Sequence, residues 1–256
     1  EAEVGEKLYE RTGRRLILTP AGRLLLEYCR RLLLVQEEAI TAVKELGGMQ
    51  RGSLSLGSIP HLSHSIAPHL LRAFVPRHPQ LEIRLITASD AALLEHLHAG
   101  KVDVLLMNLP VDAADLVQAP LWRDELVFVV PPGETAVSSR PFILHRQAPA
   151  GAGFEPNIAM QNEQPGTIKE LVKLGLGISL LPFWSVADEV RCGELGIVRV
   201  EGGRLFGVTG LVYRQSAHVP QALRALLETG RQWKTWLPRA EDVLEIEADA
   251  TGGGPA

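Results

Sequence analysis

The sequence predicts an α/β protein of two lobes with a cleft between them, preceded by a short basic hairpin and one long helix. From residue 54 onward, short apolar runs alternate with helix-period stretches, which implies βαβ units and a mostly parallel sheet. From Pro20 to Leu46 no breaker follows Gly22, and apolar residues recur at every seventh position. Ahead of that stretch, two extended runs flank a Gly-containing turn. The chain has 256 residues, 46% apolar and 22% charged, with net charge -4, an ordinary globular composition for one large or two small domains. No window approaches the roughly 18 apolar residues of a membrane span, so neither an integral membrane protein nor a membrane partner is expected. Residues 1–10 are charged and lack the apolar segment of a secretory signal. Two cysteines, Cys29 and Cys192, cannot build a disulfide framework, and a reducing cytoplasm is the expected setting.

Taken in order, residues 1–7 read as a helix end stopped near Gly5. Residues 8–11 and 14–18 then form a hairpin around Thr12-Gly13. Thr19-Pro20 starts a helix, since the Thr hydroxyl caps orphan N–H groups and Pro at the first position gives up no needed donor. Some 27 helical residues would span about 40 Å. Leu25, Leu32, Ala39 and Leu46 are spaced by seven, with Tyr28 or Cys29, Val35, and Ala42 or Val43 between them. That heptad seam suits a partner helix, and a helix lying on its own domain is the alternative. Gly47-Gly48-Met49-Gln50-Arg51-Gly52 reads as a linker.

Strands are expected at 54–57, 81–86, 103–107, 125–130, 141–144, 157–160, 178–181, 197–200 and 206–213. Helices are expected at 62–74, 91–98, 167–175 and 219–237, the third opened by a Thr167–Glu170 capping box. The resulting division is 1–18, 19–48 for the long helix, and 52–237 for the α/β part. One lobe takes about 52–123 and 208–237, the other about 124–207. Residues 238–256 are expected to form a solvated acidic tail.

Charge is uneven. Residues 7–31 carry seven basic residues against Glu10 and Glu27, net +5, whereas 238–256 carry one Arg against five acids, net -4. A basic beginning on an acidic chain points to a polyanion partner at one end, or to a solvated charged surface.

Several segments together resemble the LysR-type transcriptional regulators. Leu8-Tyr9-Glu10-Arg11, Gly13-Arg14-Arg15 and Leu18-Thr19-Pro20-Ala21-Gly22 look like that family's wing and the start of its linker helix. Gly52-Ser53-Leu54-Ser55-Leu56-Gly57-Ser58 is similar to the first strand of its effector domain, and the 74–81 stretch with His78-Pro79 to the turn after it. Gly100-Lys101-Val102-Asp103-Val104 and Leu174-Gly175-Leu176-Gly177-Ile178-Ser179-Leu180-Leu181-Pro182 resemble later strand entries. The resemblance covers about residues 1–237. It implies a two-lobed periplasmic-binding-protein-like effector domain behind a partial winged helix-turn-helix and a linker helix. It also implies a DNA partner, a small-molecule effector and self-association through the linker helix as dimer or tetramer.

Two departures follow. The family's recognition helix falls upstream of Glu1, so DNA reading is expected to be impaired, with Arg11, Arg14 and Arg15 left for phosphate contacts. Such contacts position a protein without reading sequence and are strongly salt-dependent. The stretch between Pro132 and Pro156 is short for the family, and 146–153 reads as a loop in place of a helix.

In two-lobed α/β folds, ligands sit beyond the carboxyl ends of strands, against helix N-termini. Ser58 follows the first strand, Thr87 and Ser89 the second, and Asn108 the third, while Asn162 precedes a helix of the second lobe. These residues, with His61 as a further hydrogen-bond donor, are the candidate effector contacts, and a carboxylate is one effector they would suit. Ser58 and Ser89 read also as plain helix caps. His61 and His64 lie three apart, but nothing nearby supplies further ligands, so neither a metal site nor a cofactor is expected. Some members of the family sense peroxide through a thiol pair. Cys29 and Cys192 fall in different parts of the chain, and no redox role is expected. A transporter's solute-binding protein shares the two-lobed fold and is the alternative reading. It would carry an export segment and lack the basic hairpin and heptad helix. No nucleophile elbow or phosphate-cradling loop is present, so an enzyme is not expected.

Overall fold

The computed structural model describes residues 1–13, 15–46, 52–134, 137, 140–145, 157–162, 164–198, 204–216 and 218–232. Residues 1–7 form turns with no helix, closed by a Gly5 N to Glu1 O hydrogen bond of 2.9 Å, where the expectation was a helix end. The hairpin follows as β1 (Tyr9–Thr12) and β2 (Arg15–Leu18), paired from Tyr9 opposite Leu18 to Thr12 opposite Arg15. Its turn uses Gly13 at φ 65°, a left-handed conformation that costs glycine nothing.

Helix α1 (Pro20–Leu46) has the expected bounds. Thr19 caps it: its hydroxyl accepts the Gly22 N–H at 3.0 Å and donates to Lys7 O at 2.6 Å. Gly22 is required here, because a Cβ on it would lie 1.8 Å from Leu8 O. The hairpin therefore docks directly on the first turn of the helix.

The α/β part comprises β3 (Gly52–Ser58), α2 (Pro60–Ser65), α3 (Ala67–Phe74), β4 (Leu81–Thr87), α4 (Asp90–His98), β5 (Val104–Leu109) and β6 (Leu116–Val130). These are followed by β7 (Phe142–His145), β8 (Ile158–Asn162), α5 (Pro165–Lys173), β9 (Ser179–Pro182), α6 (Ala187–Arg191), β10 (Gly196–Val198), β11 (Leu205–Arg214) and α7 (Gln221–Gln232). One curled sheet runs β10-β6-β11-β5-β3-β4, with β9 also on β6, and β7 and β8 pair separately.

The mostly parallel sheet expected from strand–helix alternation is not what forms. Among the described residues, parallel pairing joins β3 with β4, β3 with β5, and β7 with β8, with an isolated parallel bridge from Phe142 to Ile178, while β6 and β11 are antiparallel to every neighbour. The chain runs outward along β6 and returns along β11, and that reversal imposes the antiparallel sense. Strand β6 also begins at Leu116, well before the 125 start that the sequence suggested. Within it Pro120 sits at a bulge opposite Gly210, where its missing N–H is tolerated. A Cβ on Gly210 would come within 2.4 Å of Ala119 O, so the bulge fits a glycine.

Smaller differences have local causes. The expected 62–74 helix divides at Ile66, before Pro68. Helix α5 starts at Pro165 with Gln164 as cap residue, which places Thr167 inside the first turn, so the Thr167–Glu170 capping box does not open it. The strand–helix turn around 183–191 was not anticipated. The last helix is described to Gln232; the remainder of the 219–237 expectation, the acidic tail and the 146–153 loop lie outside the described residues.

Two main cores result. One packs Leu56, Leu70, Phe74, Leu93, Leu105 and Leu226 with their neighbours, and the other packs Val127, Ile143, Ile168, Val172, Leu181 and Phe183. Alternation along β6 splits its apolar run: Val127 and Val129 join the second core, while Phe128 and Val130 face a smaller cluster on the opposite side. Burial on both faces explains why this run is continuously apolar.

Candidate functional site

The parallel register brings the carboxyl ends of β3 and β4 side by side, with Ser58 opposite Thr87. Ser63, one turn into α2, links them: its hydroxyl donates to Ser58 O at 3.3 Å and shares a 2.8 Å hydrogen bond with Thr87 Oγ1. On the neighbouring strands, Asn108 of β5 faces Thr209 of β11. Thr209 Oγ1 donates to Asn108 Oδ1 at 3.3 Å, and Asn108 Nδ2 lies 3.4 Å from His61 Nε2. Ser58, His61, Thr87 and Asn108 thus collect at one end of the sheet, joined by Ser63 and Thr209.

Their accessibility differs. Thr87 and Ser89 are exposed, and His61 and Asn108 are half-buried. Ser58 is fully buried and spends its hydroxyl on a long 3.4 Å bond to Ile59 O. It does not cap α2, whose cap residue is Ile59, and Ser89 precedes α4 without a side-chain capping bond. Asn162 is not drawn into this group; its Oδ1 accepts the Gln164 N–H at 2.7 Å, forming the turn into α5. Ser63 and Thr209 escape sequence reasoning because the role of each depends on register: Ser63 is one polar residue in the run His61-Leu62-Ser63-His64-Ser65, and Thr209 is a lone hydroxyl in an apolar strand.

The base of the crossing strands is charged. Arg123 stands 3.9 Å over the Phe206 ring, and the buried Glu125 lies 3.9 Å from Arg204 Nε. Between them, Asp124 accepts the Trp184 N–H at 3.2 Å. Burial, against the opposing pull of the backbone donors of Trp184 and Glu125, raises its carboxyl to about 7.

The hairpin arginines are exposed but divided. Arg11 pairs with Leu16 and Arg15 with Thr12, so alternation puts the two on opposite faces of the ribbon; Arg14 lies outside the described residues. On α1, Leu32, Val35 and Val43 are 69%, 62% and 69% exposed, and Ala39 is exposed with them, while Leu25 is half-buried. The Leu46 side chain lies outside the described residues. The opposite face of the helix leans on the domain through Leu34, against Gly100. Cys29 and Cys192 are free and exposed. Among the described residues no group of three metal-binding side chains occurs, and no helix is long and apolar enough to cross a membrane.

Asp124 sets a pH dependence. A carboxyl raised in the folded state gives stability that is full below its unfolded value and lost as pH climbs toward 7. Asp124→Asn should therefore flatten this part of the profile, with the wild type losing stability relative to the variant between about pH 4 and 7. Urea unfolding across that range checks it; parallel profiles for the two proteins would contradict it.

Residues 47–234 match the LysR substrate binding domain family. Among curated relatives, the HTH-type transcriptional regulator CbbR of Rhodospirillum rubrum is 30% identical over 244 residues, covering 89% of this chain and 82% of the relative. CfxR of Cupriavidus necator is 28% identical over 250 residues, covering 89% and 78%. Among solved structures, a full-length OxyR variant from Pseudomonas aeruginosa superposes with a TM-score of 0.66 at 21% identity, covering 90% of this chain and 84% of that one. A full-length CbnR in complex with its target DNA gives 0.59 at 24% identity, covering 90% and 85%. Both share the two-lobed periplasmic-binding-protein-like fold of the effector domain. The relatives are regulators, which does not favour the alternative of a transporter's solute-binding protein. The chain belongs to the LysR family of ligand-responsive transcriptional regulators.

Proposed function

We propose that a small polar metabolite binds in the cleft between the lobes and biases their arrangement. The observation that carries this reading is the hydrogen-bonded group formed by Ser63 with Thr87 and by His61, Asn108 and Thr209, at the carboxyl ends of β3, β4 and β5. Thr87, Ser89, His61 and Asn108 present hydroxyl, amide and imidazole groups to the effector. Ser58 forms the floor, its long bond to Ile59 O being one that a ligand oxygen can replace. Asn162 contributes from the second lobe when the cleft closes. With no Lys or Arg in this set, recognition depends on directional hydrogen bonds, and a carboxylate would be met by the N–H groups opening α4. The chain acts by binding, without turnover, metal or cofactor, and works in the cytoplasm.

The lobes divide at about residues 123/124 and 207/208, within the crossing strands β6 and β11. Self-association uses the Leu25, Leu32, Val35, Ala39, Val43 and Leu46 seam of α1, as dimer or tetramer, since large apolar side chains on one face of a long helix are stabilised by a partner helix. Arg11, Arg14 and Arg15 add phosphate contacts that steady the protein on DNA.

A thermal-shift screen of the whole chain against small metabolites tests the cleft. A ligand at 100 times its dissociation constant stabilises the native state by about 2.7 kcal/mol. Thr87→Val, which removes the hydroxyl at nearly constant volume, should weaken a hit about tenfold or more. A hit indifferent to both Thr87→Val and Ser58→Ala would place the effector elsewhere. For the seam, Leu32→Lys with Val35→Lys should shift sedimentation to the monomer; an unchanged oligomer would refute this interface.

A further inference from the structure

At the other end of the same two strands lies a second concavity. Gly52 pairs with Leu81 where β3 and β4 begin, and Ser58 pairs with Thr87 where they end, six residues on. At about 3.3 Å per residue, the two ends are roughly 20 Å apart. Around Gly52 and Leu81, the linker helix and the segment before α7 enclose a groove of about 760 Å³. That volume falls within the roughly 300–1,000 Å³ range of small-molecule sites.

The lining combines two chemistries. Leu34 and Ile40 of α1 and Leu81 and Leu223 of the domain supply apolar surface. Arg77, His78, Arg214 and His218 supply positive or protonatable groups, against Asp103 as the single carboxylate among the lining residues. Asp103 also serves the fold, accepting the Ser55 N–H at 2.7 Å. Arg214 is held in place by main-chain carbonyls, its Nη1 donating to Leu97 O at 2.6 Å and Val102 O at 3.3 Å. Arg77 is exposed and donates to Gln232 Oε1 at 3.2 Å. Among the described residues neither arginine forms an ion pair with a carboxylate.

One wall of the groove belongs to the linker helix. The helix meets the domain where Leu34 covers Gly100, a residue at φ 69° whose Cβ would come within 2.1 Å of Leu34 Cδ2. A molecule seated in the groove beside this contact would touch Leu34, Ile40 and Thr41 on the helix and the arginines on the domain together.

We propose that this groove is a second ligand site, separate from the cleft, for a small organic anion with an apolar body, and that occupancy fixes the linker helix against the effector domain. The guanidinium groups select the anionic end by charge-assisted hydrogen bonding, and the leucines take the apolar end. Binding itself does not depend on the cleft proposal; only its regulatory consequence rests on the family's function. A ligand that favours one helix-to-domain arrangement shifts the population toward it by its differential affinity.

Titration calorimetry of the whole chain with benzoate, phenyl phosphate and the neutral benzyl alcohol tests the site. The two anions should bind saturably, at least about tenfold tighter than the alcohol, and Arg77→Ala should weaken them about tenfold, as for a lost charged hydrogen bond. Arg77 is exposed, so an unchanged melting temperature confirms that the variant is folded. Thr87→Val should leave the anions' affinity unchanged, and their binding should slow amide exchange in α1 around Leu34. Equal affinity for the alcohol, indifference to Arg77→Ala, no saturable anion binding, or unaltered exchange in α1 would each overturn the proposal. A probe whose binding follows Thr87 and not Arg77 occupies the cleft and overturns it too, while a failed metabolite screen with intact groove binding counts only against the cleft.

Discussion

The pairing of β6 with β11 is the constraint on which the rest of the structure depends. Ten residues of β11 are matched with β6, from Leu205 opposite Leu126 to Arg214 opposite Leu116. Leu116, Leu121 and Trp122 at one end of β6 belong to the first core, and Val127 and Val129 at the other end belong to the second. Strand β6 thus belongs to both cores, while β11, hydrogen-bonded along its length as a two-stranded ribbon, adds Leu211 and Val212 to the first. Such a ribbon bends and twists more readily than a packed core deforms, and the irregularity at Thr209/Gly210 interrupts its ladder midway. Asp124, buried and bonded to Trp184, lies on this ribbon, so its ionisation acts at the connection between the cores.

The same crossing explains where the polar group forms. Parallel strands β3, β4 and β5 end together, and β11 passes antiparallel beside β5, bringing Thr209 to Asn108. Hydroxyl and amide groups that bond one another hold their orientation before a ligand arrives, which lowers the ordering cost of binding. Thr209 belongs to the crossing strand and Asn108 to β5, so their bond ties the polar group to the ribbon that joins the two cores.

The period of apolar residues made most elements legible, because each core face imposes its own spacing on the chain. Helix α1 was readable to its ends because Thr19-Pro20 starts it by a local mechanism. What escaped depends on long-range partners. The early start of β6 rests on the bulge that sets Pro120 opposite Gly210, and strand direction follows from the return along β11 rather than from any local pattern. Ser58, Thr87 and Asn108 stand at or near the carboxyl ends of β3, β4 and β5, where the sequence places them. Ser63, Thr209 and Asp124 were missed because only register gives them partners. Thr167 and Glu170 have the spacing of a capping box, yet Pro165 already begins the helix two residues earlier.

Helix α1 rests on the domain by one face and exposes apolar heptad positions on the other. Leu34 lies against Gly100, while Leu32 and Val35 stand exposed. We propose that cleft occupancy moves one lobe relative to the other about β6 and β11. Spin labels at the exposed positions Glu95 on α4 and Leu174 after α5, with Cys29 and Cys192 replaced by Ser, measure that displacement by pulsed dipolar spectroscopy. With a metabolite bound that depends on Thr87, the inter-lobe distances should shift to shorter values and narrow. A bound metabolite that leaves the distance distribution unchanged would contradict the account.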